Sequence, residues 1–265
     1  MTEIYTADSS FYGKLRRRLA RLIYTRPARF EGHDAGLARP LLTISFDDAP
    51  TSAAYAGAAL LEKYGARGTF FISAGLSGSD SHLGVYTSEM EIKALHAAGH
   101  EIACHTHSHL DCGRATAADI AFDLDLNAEA FHRMGLPKAT TFAYPYGDVS
   151  PQAKSVLTSR FIASRALHHG LITPGTDLNQ TPAVGIEGKD GEQTAIDWLI
   201  RAEDETAWLV LYTHDVRENP SDWGCTPETL ERLIVRALDM GFDIVTYAEG
   251  ARLASGQAVQ KVKAA

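Results

Sequence analysis

The chain has 265 residues, 45% of them hydrophobic, and a formal net charge of −8. That length and composition suit one large globular domain with a well-buried core, and the acidic balance argues against a general nucleic-acid binder. Three cysteines without CxxC spacing suit reduced thiols in a reducing compartment. Residues 1–10 lack the charged-then-apolar pattern of a secretory signal, and no apolar stretch reaches the roughly 18–20 residues of a spanning helix. The plain expectation is a cytoplasmic protein.

The charge is unevenly spread. Seven basic residues and no acid lie between Phe11 and Phe30, which leaves 18 basic against 33 acidic residues, or −15, elsewhere. Phe11 to Tyr24 reads as an amphipathic helix, with Phe11, Leu15, Leu19, Leu22 and Ile23 at helical spacing and arginines on the other face; Pro27 ends it. Three readings stand: a helix packed on the domain with a solvated basic face, a foot on an anionic membrane, peripheral at the inner membrane face, or a basic face that holds an acidic partner. Residues 1–38 are taken as this helix and its lead-in, 39–255 as the main domain, and 256–265 as a flexible tail.

From Leu41 to Phe46 runs a short apolar, β-branched segment, a buried strand that ends in Asp47-Asp48-Ala49-Pro50. A helix over Ser52–Tyr64 stops at Gly65, and a strand over Arg67–Ser73 follows. Thr87 to Ala98 is a helix opened by Thr-Ser-Glu-Met-Glu. The strand His100–Cys104 feeds straight into His105-Thr106-His107-Ser108-His109. Thereafter come a helix over Thr116–Met134, a strand over Thr140–Ala143 that runs into Tyr144-Pro145-Tyr146-Gly147, a helix over Ser150–Thr158 and a strand over Arg160–Ser164. After a Gly/Pro/Asn-rich loop come a strand at Ala183–Ile186, a helix at Gln193–Ala202 and a strong strand at Ala207–Tyr212 leading to His214. The helix Thr226–Met240, the strand Phe242–Thr246 and the helix Ala248–Leu253 close the pattern. Strand–helix alternation implies parallel strands with right-handed crossovers, and about seven such units suggest a closed or nearly closed barrel. The polar clusters all follow C-terminal strand ends, the face where barrel active sites lie.

Two adjacent acids after a buried strand are costly unless paired or bound to metal; the plain alternative is that one caps the next helix. Asp48, His105 and His109 would supply three ligands to a divalent ion with one position left open, the histidines meeting across one helical turn. Zinc suits mixed imidazole and carboxylate ligands, and cobalt, nickel or manganese could occupy the same set. Such an ion lowers the pKa of bound water toward about 7 and polarises a carbonyl. Asp47 would take the water's proton, His214 would protonate a leaving amine, and the backbone N–H of Tyr146, beside Pro145, could steady an oxyanion. His100, His168 and His169 are read as structural, His107 as out of phase with the shared face, and Asp197 as helix packing.

These motifs resemble the NodB-homology polysaccharide deacetylases, carbohydrate esterase family 4. Ser45-Phe46-Asp47-Asp48-Ala49 is similar to their T-F-D-D-G, His105 to His109 to their H-[ST]-x-x-[HS], Pro145-Tyr146-Gly147 to the end of their third motif, and His214 to the histidine that follows an apolar strand. The resemblance implies a distorted (β/α)7-type barrel and a metal-dependent hydrolase that removes acetyl groups from N-acetylated sugars. Asp47 would be the base, His214 the acid, and Pro145 and Tyr146 would contact substrate. The third-motif arginine is replaced by Ala143, and Arg165, just past the following strand, is the candidate to pair with Asp47 instead. Ala49 replaces the motif glycine, and the fourth motif, D-x-x-D-W, is absent. An N-acetylglucosamine glycan of exopolysaccharide or adhesin synthesis is the expected substrate. The rivals are a cyclic amide or ureide hydrolase of the same superfamily and a non-catalytic carbohydrate-binding barrel without metal.

Overall fold

The computed structural model describes residues 10–22 and 37–256. In chain order the elements are α1 (Phe11–Leu22), β1 (Leu41–Asp47), α2 (Ala58–Lys63), β2 (Thr69–Ile72), β3 (Asp80–Ser81), β4 (Gly84–Val85), α3 (Glu89–Ala97), β5 (Glu101–Cys104), α4 (Ala117–Arg133), β6 (Thr141–Ala143), α5 (Pro151–Leu157), β7 (Ala163–Arg165), β8 (Val184–Gly185), α6 (Gly191–Asp204), β9 (Trp208–Thr213), α7 (Pro227–Asp239), β10 (Asp243–Ile244) and α8 (Tyr247–Ala254). The expected helix end at Tyr24 and Pro27, and the expected tail apart from Gly256, lie outside the described residues.

Eight strands form one parallel sheet: seven run in the order β7-β6-β5-β2-β1-β9-β8, and β10 pairs with β1 off that path. Strand β1 is its centre. It pairs with β9 along one edge, and on the other with β10 at Leu41 and Leu42 and with β2 from Ser45 to Asp47. The sheet curls so that Thr181, just ahead of β8, bridges Arg165 at the far edge. The result is a curled, distorted α/β barrel, as the family resemblance implied. The antiparallel hairpin β3–β4 is an addition that the sequence pattern did not signal.

Strand alternation sorts β1 into two faces. Leu42, Ile44 and Phe46 pack outward against the helices, in one cluster with Leu61, Ile92, Leu199, Leu230 and Leu233. Complete burial of each such side chain contributes about 1.5–3 kcal/mol. The intervening positions, Thr43, Ser45 and Asp47, face the barrel interior, where Trp208 Nε1 donates to Thr43 Oγ1 at 3.0 Å. The lower interior is filled by Trp208, Val210, Phe71 and Tyr247, so Asp47 stands at the upper end of a packed column.

The helices start where their caps dictate. Ser88 and Thr246 form capping boxes with Glu91 and Glu249, and Thr116, Ser150 and Thr226 each accept from a first-turn N–H; such a cap contributes about 1 kcal/mol. The segment after β1 departs from expectation: residues Ala53–Gly57 form a π-helical turn before α2. Strand β7 is also shifted toward the C-terminus, so that Arg165 is its last residue rather than the first beyond it. No helix among the described residues is long and apolar enough to cross a membrane.

Candidate active site

Because the strands run parallel, the ends of β1, β5, β6, β7, β8 and β9 meet on one rim. Asp47 closes β1, and Asp48 follows with φ 56°. His105 follows β5, Tyr146 follows β6, Arg165 ends β7, and His214 follows β9. Asp48, His105 and His109 converge there, with one ligand atom from each lying within 4.8 Å of the others. His109 Nε2 is 3.5 Å and His105 Nε2 3.9 Å from Asp48 Oδ1. In a tetrahedral zinc site with bonds of about 2.1 Å, ligand atoms stand about 3.4 Å apart. Both of these edges lie within about 0.5 Å of that spacing.

Two observations favour a cation between them. Asp48 Oδ1 is buried with no hydrogen-bond partner, an uncompensated cost unless something positive faces it. His105 Nδ1 lies 2.8 Å from the Ala143 carbonyl. A carbonyl only accepts, so Nδ1 carries the proton and Nε2 turns its lone pair toward Asp48 and His109. Burial, followed by the nearby His109, pushes the His105 pKa down to about 4, which keeps that ring neutral and able to ligate.

The histidines do not meet across a helical turn, as their spacing suggested. Residues 105–110 form an irregular loop, and His109 swings back through a left-handed conformation, φ 57°. Among the described residues, five of the six non-glycine residues with positive φ are Asp48, Ala49, Thr106, His109 and Tyr146. Such conformations cost about 1–3 kcal/mol each and persist only where surroundings enforce them. Asp123, on the buried face of α4, accepts from His107 N at 2.5 Å, Ser108 N at 3.1 Å and Ser108 Oγ at 2.6 Å. Thr106 Oγ1 accepts from Leu110 N at 2.8 Å, and the Thr87 hydroxyl and N–H both donate to the Ala49 carbonyl. Neither acid at the tip of β1 caps the next helix, and Ser52 stands at that position.

Asp47 has a different environment from its neighbour. The Arg165 Nη2 lies 2.5 Å from both of its carboxylate oxygens. The guanidinium is held between the rings of Phe71 and Tyr212, with its carbon 5.0 and 5.1 Å from their centroids. Burial alone would raise the Asp47 pKa, but Arg165, with His105 and His214, holds it below the usual carboxylate range. The pairing that Ala143 could not supply is thus made from the next strand.

His214 Nδ1 lies 3.2 Å from the Trp223 carbonyl and 4.0 Å from Glu187 Oε2. Glu187 also accepts from the Tyr212 hydroxyl at 3.0 Å; burial raises its carboxyl pKa, and the charge of His214 opposes that. The Tyr146 ring stacks edge-on against His109 at 4.5 Å, with Pro145 buried beside it. His100 accepts from Gly68 N–H and pairs with Glu62, and His107 packs against Gly75. Sequence reasoning missed Asp123 and Glu187. The signal for Asp123 was an acid among Ile120, Leu124 and Asn127 on the apolar side of α4; for Glu187 it was an acid just past a short strand.

A sequence model described as polysaccharide deacetylase matches residues 35–160. That segment is similar to polysaccharide deacetylase domains. It holds Asp47, Asp48, His105, His109 and Tyr146; Arg165, Glu187 and His214 lie beyond the match. A bifunctional xylanase/deacetylase of Pseudobutyrivibrio xylanivorans is 22% identical over 209 residues, covering 79% of this chain and 30% of that protein. The chain therefore spans under a third of that relative. Among solved structures, a family 4 acetyl xylan esterase from Clostridium thermocellum in complex with a cobalt ion is 22% identical, at TM-score 0.56, covering 82% of this chain and 93% of that one. The chitin deacetylase of Colletotrichum lindemuthianum is 18% identical, at TM-score 0.54, covering 84% and 90%. These likenesses establish a common fold, the curled parallel sheet of the deacetylase domain.

Proposed function

We propose that the protein is a metal-dependent deacetylase that removes N-acetyl groups from N-acetylglucosamine-containing glycans. The observation that supports this most is the pairing of two adjacent acids with opposite surroundings: Asp48 turned to two imidazoles, Asp47 gripped by Arg165. Asp48, His105 and His109 would hold zinc, or cobalt, nickel or manganese in its place. When bound, that ion supplies a polarised acyl carbonyl and a water of lowered pKa. Asp47, ionised at neutral pH because Arg165 stabilises its charge, takes a proton from the attacking water. Arg165 fixes the carboxylate's direction and tempers its basicity. His214, across the rim, gives a proton to the departing sugar amine, its Nδ1–H held by the Trp223 carbonyl so that Nε2 faces outward. The Tyr146 backbone N–H stabilises the oxyanion, and the Pro145–Tyr146 edge contacts the sugar.

The two solved relatives named above act on different acetyl linkages by their descriptions, acetyl xylan and chitin. An N-acetyl preference here is tested by acetate release from zinc-loaded protein on chitooligosaccharides and on acetylated xylan. Faster release from chitooligosaccharide supports the reading. Release from xylan alone, or ring opening of a cyclic amide without acetate, refutes it. We further propose a role in synthesis of an exopolysaccharide or adhesin within a reducing compartment, for which three buried free cysteines are the support.

A further inference from the structure

Helix α1 carries its apolar stripe on the outside. Phe11, Leu15 and Leu19 recur every four residues and so share one face; they are 75%, 40% and 49% exposed, and Tyr12 beside them is 80% exposed. A helix packed on the domain through this stripe would bury it, so that reading of the sequence fails. The surface that α1 does turn to the body includes Gly13, which is buried. Ser10 starts the helix by accepting from Gly13 N–H at 3.0 Å. Arg16 and Arg18 are exposed, and α1 holds no acid.

The placement of α1 adds to this. Arg16 lines a cavity together with Gly113, Asp148, Ser150 and Gln152. Gly113 comes four residues after His109, and Asp148 two after Tyr146. The helix therefore lies beside the rim on which the metal ligands converge.

We infer that α1 docks the protein on an anionic lipid surface, with the mouth of the site turned toward the bilayer. An exposed stripe of Phe, Tyr and Leu flanked by arginine is what a membrane interface buries, the rings and aliphatic groups entering the acyl boundary while guanidinium groups meet lipid phosphate. The charge distribution orients the body. Seven basic residues cluster between Phe11 and Phe30, whereas the remaining chain carries 18 basic and 33 acidic residues and is repelled by an anionic surface. Contact is thus confined to α1 and the rim next to it. The docking stands on these features alone. Its consequence for substrate, a glycan carried on a lipid, rests on the deacetylase reading.

The test is co-sedimentation of the full chain with vesicles of phosphatidylcholine alone or mixed with phosphatidylglycerol. The wild type is expected to bind mixed vesicles at least tenfold more tightly than neutral ones and to be released by salt. The Phe11→Ser/Leu15→Ser/Leu19→Ser variant is expected to stay in solution, and the Arg16→Glu/Arg18→Glu variant to lose at least fivefold per arginine in affinity. Both should release acetate from a soluble chitooligosaccharide at the wild-type rate. Equal sedimentation of wild type and the triple variant overturns the inference. So does self-association in light scattering that the triple variant abolishes while vesicles stay bare, since the stripe then serves a second copy. Vesicle binding by a protein that releases no acetate supports docking and removes only the deacetylase reading.

Discussion

Asp48, His105 and His109 come from two strand tips and keep their places through backbone conformation: left-handed turns at Asp48 and His109, closed by Thr87, Thr106 and Asp123. Asp47, Arg165, Glu187 and His214 come from four strand ends and keep theirs through charge. The candidate-ligand half of the site is therefore local and strained, and the half proposed to handle protons is long-range and electrostatic. Geometry that must present lone pairs to one point cannot drift, so its residues stay within short motifs. A positive charge beside a carboxylate works from any element that reaches it, so its source can move from one strand to the next.

If the halves are independent, variants should separate them. Asp48→Ala or His105→Ala should abolish stoichiometric zinc binding, measured by elemental analysis after dialysis. Asp47→Asn should keep zinc and lose about 10²–10⁴ in kcat. Loss of zinc in Asp47→Asn would merge the halves. Arg165→Ala strands a buried carboxylate and should cost about 3–5 kcal/mol in urea unfolding, with zinc content preserved and activity reduced. Unchanged activity and stability would end its assigned role.

Acid should distinguish the halves in zinc-stripped protein. The folded His105 pKa is depressed to about 4 from 6.5. The unfolded chain therefore binds that proton first, and stability drops as pH falls from 6.5 toward 4. The Asp47 pKa is also depressed when folded; its contribution is complete above the unfolded value of about 3.9 and is lost only below that. A melting temperature that stays flat between pH 6.5 and 4.5 would contradict the His105 environment. Asp123→Asn loosens the loop that aims His109 and should weaken zinc affinity by about 10–100-fold, read by competition with a chelating dye. The smallest effect belongs to Ala49. It stands at φ 42°, where the related motif has glycine, and Ala49→Gly should stabilise by about 1 kcal/mol in thermal unfolding.

Much of the fold was legible because strand and helix periods are local. The run from Leu41 to Phe46, the caps at Ser88, Thr116 and Thr226, and the glycine stops fixed most elements to within a few residues. Errors fell where local signals conflict with packing. The π turn at Ala53–Gly57 comes at the close approach of Gly57 to the Phe46 ring, and the shift of β7 lets Arg165 close the strand beside Asp47. The candidate ligand set was legible for the same reason: each motif is contiguous.

By itself the sequence determined a parallel α/β barrel and the three candidate ligands, because period, capping and motif act within a few residues. Only the tertiary structure decided that Arg165 clasps Asp47, that Glu187 stands by His214, that Asp123 pins the histidine loop and that the α1 stripe faces outward. The first three of those relations join residues 118, 27 and 15 or 16 positions apart. Pairing across such separations depends on how the sheet curls and which face each element turns, and local preference carries no information about either.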